Sequence, residues 1–473
     1  MRKGKQAFLA ACTGLLFAIG VLIYGVLVLE QSPHIPLIFS TVVIMLYGIM
    51  NGNTWQEMRI GMIESISESI EAILIICLIG VTIGTWMAGG TVPAIIYYGL
   101  QVFSPRFFLV SVVVLCSVMS LVTGSSWTTI GTIGVAFMGI SAGLGIPAGM
   151  TAGAVICGAY FGDKQSPLSD STNFAAAVAK TDLYEHTRSM IYTTGPAYLM
   201  SLAIFLILGL KYGGQSTDIS QIQAITAGLK DGFYMGPVLL LPLLLLLILI
   251  IRKFPAIPTM IIASALGLVC AVFIQGENME EGMHYMYSGY TGTTGIEAVD
   301  TLLTRGGLTS MTGTVTLMLM SLSLAGVMRT TGIMNVILER TGKLTENSIG
   351  LIIVTWVLTF LLSFFAADPY LAMILPANIL GTKYDELGIQ RSVMSRTLED
   401  GGTIVCPMVP WGTNGIYCAQ TLGVSVGTYI SYYFLGMMTP VVMLFCAVTS
   451  VGVRKKGNVD GYTRKGQNDP GKN

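Results

Sequence analysis

Gly158-Ala-Tyr-Phe-Gly162-Asp163-Lys164-Gln-Ser166-Pro167-Leu-Ser169-Asp170-Ser171-Thr172-Asn173 is a dense polar run in a chain that is otherwise apolar. Two carboxylates, one ammonium and several hydroxyl and amide oxygens stand between apolar flanks. Of 473 residues, 53% are hydrophobic and only 11% are charged, with a mean hydropathy of +0.72. A soluble domain carries about a quarter charged residues. Half that share leaves too little polar surface to coat a water-facing globule. The expectation is an all-α polytopic membrane protein, in which an ionisable group is costly and faces a partner or a wet cavity. Lys+Arg and Asp+Glu both number 25, so no basic field points to nucleic acid.

Outward from that run, stretches long enough to cross about 30 Å of hydrocarbon fall near 7–29, 34–51, 70–88, 107–123, 190–211, 234–251, 255–274, 310–328, 348–366 and 427–451. The first is too long for a signal-peptide core and has no small-residue cleavage site, so it reads as a spanning helix. Between 124 and 189, and between 367 and 426, Gly, Pro, Asp and Asn interrupt the apolar pattern. Arg2, Lys3, Lys5, Arg252-Lys253 and Arg454-Lys455-Lys456 place both termini and the 251–255 turn in the cytoplasm. Helix 70–88 then runs outward and helix 310–328 inward. The tail after 453 reads as disordered. No targeting extension is expected, and the layout fits the plasma membrane of a bacterium.

The two interrupted stretches are related. Leu144-Gly-Ile146 recurs as Leu387-Gly-Ile389, an offset of 387 − 144 = 243. At that offset Trp127 meets Tyr370, Gly158 meets Gly401, Pro167 meets Pro410 and Ala176 meets Ala419. The organisation expected is two N-terminal spans with an amphipathic linker (1–69), repeat one (70–212), a connecting region with two spans and an extracytoplasmic loop (213–311), repeat two (312–452) and a polar tail (453–473). The topology gives the repeats opposite orientation. Inverted repeats with discontinuous helices and re-entrant hairpins are an architecture of secondary transporters.

The counterpart stretch is Ser395-Arg396-Thr397-Leu-Glu399-Asp400-Gly401-Gly402-Thr403-Ile-Val-Cys406-Pro407-Met-Val-Pro410-Trp411-Gly412-Thr413-Asn414-Gly415. Here the prolines end a helix and the glycines are expected to let the backbone turn sharply. Arg396 is expected to pair with Glu399 or Asp400, one helical turn away. Asp, Ser, Thr and Asn oxygens suit a hard cation such as Na+. A carboxylate that takes either H+ or Na+ couples the two by competition. The candidate coupling residues are Asp163, Asp170, Asp368, Glu399 and Asp400. Ser169, Ser171, Thr172, Asn173, Thr413 and Asn414 are candidate ligands, and Lys164 and Arg396 are candidate charge partners. Read blandly, 162–173 is a surface loop in which Asp170 or Ser171 caps the next helix. Thr123-Gly-Ser125-Ser126-Trp127 and Ala366-Ala-Asp368-Pro369-Tyr370 read as hairpin tips, with Trp127 and Tyr370 as packing or interfacial aromatics.

Eight scattered cysteines form no CxxC or Cys/His spacing, so neither zinc nor a disulfide framework is expected. His34, His186 and His284 are taken as loop or interface residues. No HExxH motif occurs, and Gly162-Asp163 alone is too weak a basis for a protease. An enzyme is not expected, nor a cofactor or resident metal. A channel is a weaker reading than a gated site.

Gly162-Asp-Lys-Gln-Ser-Pro-Leu-Ser-Asp-Ser-Thr-Asn173 resembles the GDKxSPLSDTTN signature of NhaC-type Na+/H+ antiporters. Ser395–Thr403 with Pro407-Met-Val-Pro-Trp411 is similar to that family's SRxLEDSGT…PLIPW segment. Ser171 replaces the usual Thr, Gly401 the usual Ser, and Gly412-Thr-Asn414 the usual Asn-Thr-Cys. The resemblance implies Na+/H+ antiport on a scaffold with re-entrant hairpins, often as a homodimer. The same family includes malate-2H+/Na+-lactate antiporters and amino-acid carriers. An organic anion would pair with Arg396 or Lys164.

Overall fold

A computed structural model describes the chain apart from residues 1–3, 30, 213–218, 253, 295–299, 301–302, 334–335, 337–344, 367–368 and 454–473. Asp368, the tail beyond Val453, and the anchors Arg2, Lys3, Lys253 and Arg454–Lys456 lie outside the described residues. The described residues are helical, with one isolated bridge between Tyr290 and Arg305.

In chain order the helices are α1 (Gly4–Ile23, extended by a π turn to Val28), α2 (His34–Met50), α3 (Trp55–Glu68), α4 (Ile70–Ala88), α5 (Thr91–Val102), α6 (Phe108–Thr123) and α7 (Ser126–Thr129). A π turn joins α7 to α8 (Val135–Gly143), followed by α9 (Ala148–Gln165), α10 (Asp170–Ala179), α11 (Leu183–Tyr212) and α12 (Ile219–Gly232). Then come α13 (Leu241–Ile251), α14 (Ala256–Cys270), α15 (Met279–Ser288), α16 (Thr312–Thr331), α17 (Ser348–Ala366) and α18 (Pro369–Glu386). The last are α19 (Arg391–Gly401), α20 (Thr413–Leu422), α21 (Val426–Tyr429) and α22 (Phe434–Thr449).

Among the described residues, five helices are long and apolar enough to cross a membrane, or up to eight if each of three bent pairs is one span. The shorter apolar helices α2 and α6 account for the remaining runs expected from the sequence. Their outer faces are apolar: Leu16, Phe17, Phe39, Leu199, Ile207, Phe273 and Phe445 are all more than half exposed. Such a surface is at home in lipid, where helices satisfy their own backbone groups.

Helix starts repeat at the spacing found in the sequence. Ser126 and Pro369, Ala148 and Arg391, Asp170 and Thr413, and Leu183 and Val426 each open a helix and stand 243 residues apart. Gly145 (φ 67°) and Gly388 (φ 66°) take the same left-handed turn before α9 and α19.

Helix α9 is buried all round and forms the centre of the molecule. A Cβ on Gly158 would lie 2.3 Å from Val113 O, and one on Gly162 2.2 Å from Ser117 O. These two glycines let α9 and α6 touch backbone to backbone, the small-xxx-small device of membrane helices. Residues 158–165 therefore continue a helix, and the first interruption is confined to 166–169. The second spans 402–412, relieved by a short 3-10 turn at Cys406–Met408. Its glycines also serve close approach. None of Gly401, Gly402, Gly412 and Gly415 has positive φ, whereas Cβ atoms on Gly401 and Gly415 would meet Trp356 O at 2.7 Å and Val409 O at 2.0 Å.

The linker expected before α4 is the helix α3, opened by a capping box between Thr54 and Glu57. It packs on α16 where Gly61 meets Gly326, and Arg329 of α16 grips Glu64 and Glu68 at 3.0–3.1 Å.

Candidate ion-coupling site

Lys164, in the last turn of α9, is 1% exposed and lies among three oxygens. Its Nζ is 2.9 Å from Asp163 Oδ2, 2.5 Å from Ser171 Oγ and 3.3 Å from Glu399 Oε2. The three N–H donors of an ammonium thus each have an oxygen. Asp163 Oδ2 also accepts from Ser126 Oγ at 3.2 Å, Glu399 Oε2 accepts from the Thr403 hydroxyl, and Ser169 bonds Ser171 at 3.1 Å. Asp163 Oδ1 and Glu399 Oε1 are buried and accept no hydrogen bond from the described residues. The cluster joins α7, α9, α10 and α19, so both interrupted stretches supply it.

The two carboxylates and one ammonium carry a formal charge of −1. Burying such a group costs several kcal/mol per ion unless geometry and hydrogen bonds offset it. The unpaired oxygens of Asp163 and Glu399 leave that compensation incomplete. Among the described residues no group of three or more His, Cys, Asp or Glu could hold a metal ion. The oxygens here belong to two carboxylates and to hydroxyls of Ser126, Ser171 and Thr403.

The other expected residues are distributed differently. Ser169, Thr172 and Asn173 brace the 166–169 turn: Thr172 Oγ1 donates to Ser166 O and Ser169 O, and Asn173 Nδ2 to Pro167 O and Ser169 O. Asp170 is exposed at the start of α10, accepting its neighbour Ser171 N–H and the Tyr370 hydroxyl at 2.7 Å. Asn414 is buried, and its Oδ1 accepts Trp127 Nε1–H at 2.9 Å, while Thr413 is buried beside it.

Arg396 makes no ion pair with Glu399 or Asp400. Its Nη1 donates to Ser189 O (3.3 Å) and Gly452 O (3.2 Å), and its guanidinium faces Tyr192. Glu399 turns instead toward α9 and Lys164. Asp400 turns toward α11, where Thr193 Oγ1 donates to it at 3.1 Å. His186, expected as a loop or interface residue, is fully buried on α11, and its Nδ1 and Ser395 Oγ are 2.8 Å apart. Ser126 and Thr403 lie in stretches quoted from the sequence but were not named as ligands there, and Thr193 was not singled out, because a hydroxyl gives no signal until its partner is known. Gly139-Ile-Ser141-Ala-Gly143 fits a G-x-S-x-G string but lies within α8, with Ser141 bonded to Met138 O, so it is no nucleophile elbow.

A cavity lined by Ile79, Trp86, Val92, Gly131, Val135 and Met260, and another lined by Leu15, Ile44, Leu324 and Trp411, are mainly apolar and contain no residue of the Lys164 cluster.

The model of the Na+/H+ antiporter family matches residues 158–451. The chain belongs to the Na+/H+ antiporter family. It is 36% identical over 96% of its length to the Na+/H+ antiporter NhaC of Alkalihalophilus pseudofirmus, covering 98% of that protein. It is 37% identical over 87% of its length to the malate-2H+/Na+-lactate antiporter of Bacillus subtilis, covering 88% of that chain. With the arginine/ornithine antiporter ArcD of Halobacterium salinarum it shares 36% identity over 90%, again covering 88%. Relatives in this antiporter family thus carry ions, carboxylates or amino acids on chains of similar length. All three are antiporters by name, the first two with Na+ and H+, and Asp163, Lys164, Ser171, Glu399 and Thr403 fall inside the matched region while Ser126 precedes it.

Proposed function

We propose that the protein exchanges Na+ for H+ by alternating access, with Asp163, Lys164 and Glu399 as the coupling centre. The observation that carries this reading is the buried ammonium held between two carboxylates, each with one oxygen free. Na+ between those carboxylates and the proton on Lys164 are alternative occupants of one negative site. When Na+ enters, Lys164 gives up its proton and the cluster's charge remains −1. This exchange moves one proton per Na+. Ser126, Ser171 and Thr403 offer further oxygens, suited to a hard cation.

Inverted repeats over 70–212 and 312–452 give the two access states equivalent geometry. The helix starts spaced at 243 residues support that division. Lys/Arg placement supports cytoplasmic termini in a bacterial inner membrane.

An organic anion as cargo needs a free cationic donor. Lys164 is surrounded by two carboxylates and a hydroxyl, which favours a cation at that centre, whereas Arg396 gives only Nη1 to two backbone carbonyls and keeps its buried Nε without a partner among the described residues. Reconstitution tests this directly. In proteoliposomes with an imposed pH gradient, Na+ alone should dissipate the gradient, without malate, lactate or amino acids. Glu399→Gln protein that inserts and folds normally should lose that response. Full Na+-driven proton movement by Glu399→Gln would remove the cluster from the coupling role. A strict need for a carboxylate or amino acid would transfer the reading to organic exchange.

A further inference from the structure

Two aromatic side chains make matching bonds between the halves. Trp127, second residue of α7, donates Nε1–H to Asn414, second residue of α20, at 2.9 Å. Tyr370, second residue of α18, donates its hydroxyl to Asp170, first residue of α10, at 2.7 Å. Trp127 and Tyr370 stand 243 residues apart, as do the starts of α10 and α20. Each half therefore sends an aromatic from a hairpin tip onto the first turn of the other half's short helix.

The short helices lead to opposite ends of the polar core. Helix α20 ends at Gly423, where a Cβ would lie 3.1 Å from the Arg305 guanidinium. Helix α10 leads into α11, whose first turns adjoin Gly452 through Arg396. Helix α22 begins just after Tyr432, which packs on Gly153 of α9, and ends just before Gly452. Gly134 faces both Leu422, at the end of α20, and Val155 of α9, two residues from Gly153, so α22 starts beside that end of α20 and its 16 residues carry the chain roughly 24 Å toward Gly452.

The two contacts are sealed unequally. Tyr417 stacks on Trp127 with ring centroids 4.2 Å apart and donates its hydroxyl to Trp127 O at 2.5 Å. Asn414 and Tyr417 are buried. At the other contact Asp170 is exposed, and Phe174 meets Tyr370 edge-on at 5.0 Å. Both contacts are also adjacent in sequence to the Lys164 cluster. Ser126, before Trp127, bonds Asp163, and Ser171, after Asp170, bonds Lys164.

We propose that these pairs are the two opposed gates of the exchange cycle. Trp127–Asn414 closes the ion site from the Arg305 end, and Tyr370–Asp170 closes it from the Gly452 end. Both are made here, and the Tyr370 gate, with Asp170 exposed, is the thinner of the two. Through Ser126 and Ser171, a change of occupant at Asp163 and Lys164 displaces the residue next to each gate. The inference rests on the alternating-access reading of the molecule.

Cys418 follows Tyr417, is fully buried, and serves as a native reporter for the Trp127 gate. Its labelling by a membrane-impermeant maleimide is followed by peptide mass spectrometry in Na+-free vesicles. Trp127→Phe keeps the ring and loses the N–H donor, so Cys418 labelling should rise roughly fivefold, the weight of one hydrogen bond. The rise should be confined to reagent added from one face. Asn414→Ala removes the acceptor and should act in the same direction. Tyr370→Phe loses a bond at the opposite end and should leave Cys418 labelling unchanged or lower it. An equal rise in the Trp127 and Tyr370 variants would signal general loosening and overturn the proposal, as would no rise in Trp127→Phe. Labelling without Na+ reads the gates alone, so its failure is separate from a failure of the Glu399→Gln exchange test.

Discussion

Lys164 and Glu399 lie 235 positions apart in the chain, yet their charged atoms are 3.3 Å apart in the core. Removing one partner of a buried ion pair leaves an uncompensated charge and costs about 3–5 kcal/mol. Lys164→Gln leaves Asp163 and Glu399 facing each other without an ammonium. The purified variant should be less stable than the parent by about 3–5 kcal/mol, read as a lower unfolding temperature. Added Na+ should recover part of the loss if the carboxylates bind it. Asp170, by contrast, is exposed and accepts hydrogen bonds from Ser171 N and Tyr370, a placement that motif reading did not distinguish from that of Asp163. Both are aspartates of one polar run; only the burial of α9 and the turn at 166–169 set them apart.

At the scale of elements, the α6–α9 contact determines whether the cluster assembles. Gly162 sits immediately before Asp163, and a Cβ there would lie 2.2 Å from Ser117 O and 2.8 Å from Leu121 N. Backbone atoms cannot rotate away, so Gly162→Ala must separate the helices. Overpacking of this kind costs about 1–3 kcal/mol. The variant should lose thermal stability by that amount and lose exchange together with it, because Ser126 reaches Asp163 from the chain that follows α6. Chemical denaturation and vesicle transport on the same preparation check both outcomes. The sequence shows a G-x-x-x-G pair but does not say which helix it faces, and so 158–165 reads as a break when taken alone.

For the whole molecule, ligand binding to a native site is linked to folding. A ligand at 100 times its dissociation constant contributes about 2.7 kcal/mol. Na+ should therefore raise the melting temperature of the parent protein, and the shift should vanish in Asp163→Asn. An identical shift in both would place Na+ stabilisation elsewhere. The interior is joined across its halves by such contacts: Trp127 to Asn414, Tyr370 to Asp170, and Lys164 to Glu399. These contacts tie residues of one half to residues of the other.

Much of this was legible in the chain. The ten apolar runs have matching helices, because hydrocarbon thickness sets a length that composition alone reveals. The spacing of 243 residues was visible because matching turns need matching residues, as at Gly145 and Gly388. The polar residues of the site were visible as well, since ionisable groups are rare within apolar spans. Their pairing was not. Arg396 and Glu399 are within one turn of each other, which favours a local pair, but packing aimed Glu399 at α9 and Arg396 at backbone carbonyls near α11 and Gly452. His186 gave no sign of burial, since one histidine in a mixed segment has no periodicity to follow. Sequence by itself determined the membrane class, the spacing of 243 residues between matching helix starts and the ionisable residues set among apolar ones, the first and last being consequences of transfer from water to hydrocarbon. Which oxygen meets which ammonium, and which aromatic closes which end, only the tertiary structure decided, because those contacts depend on angles between helices that no single stretch of sequence encodes.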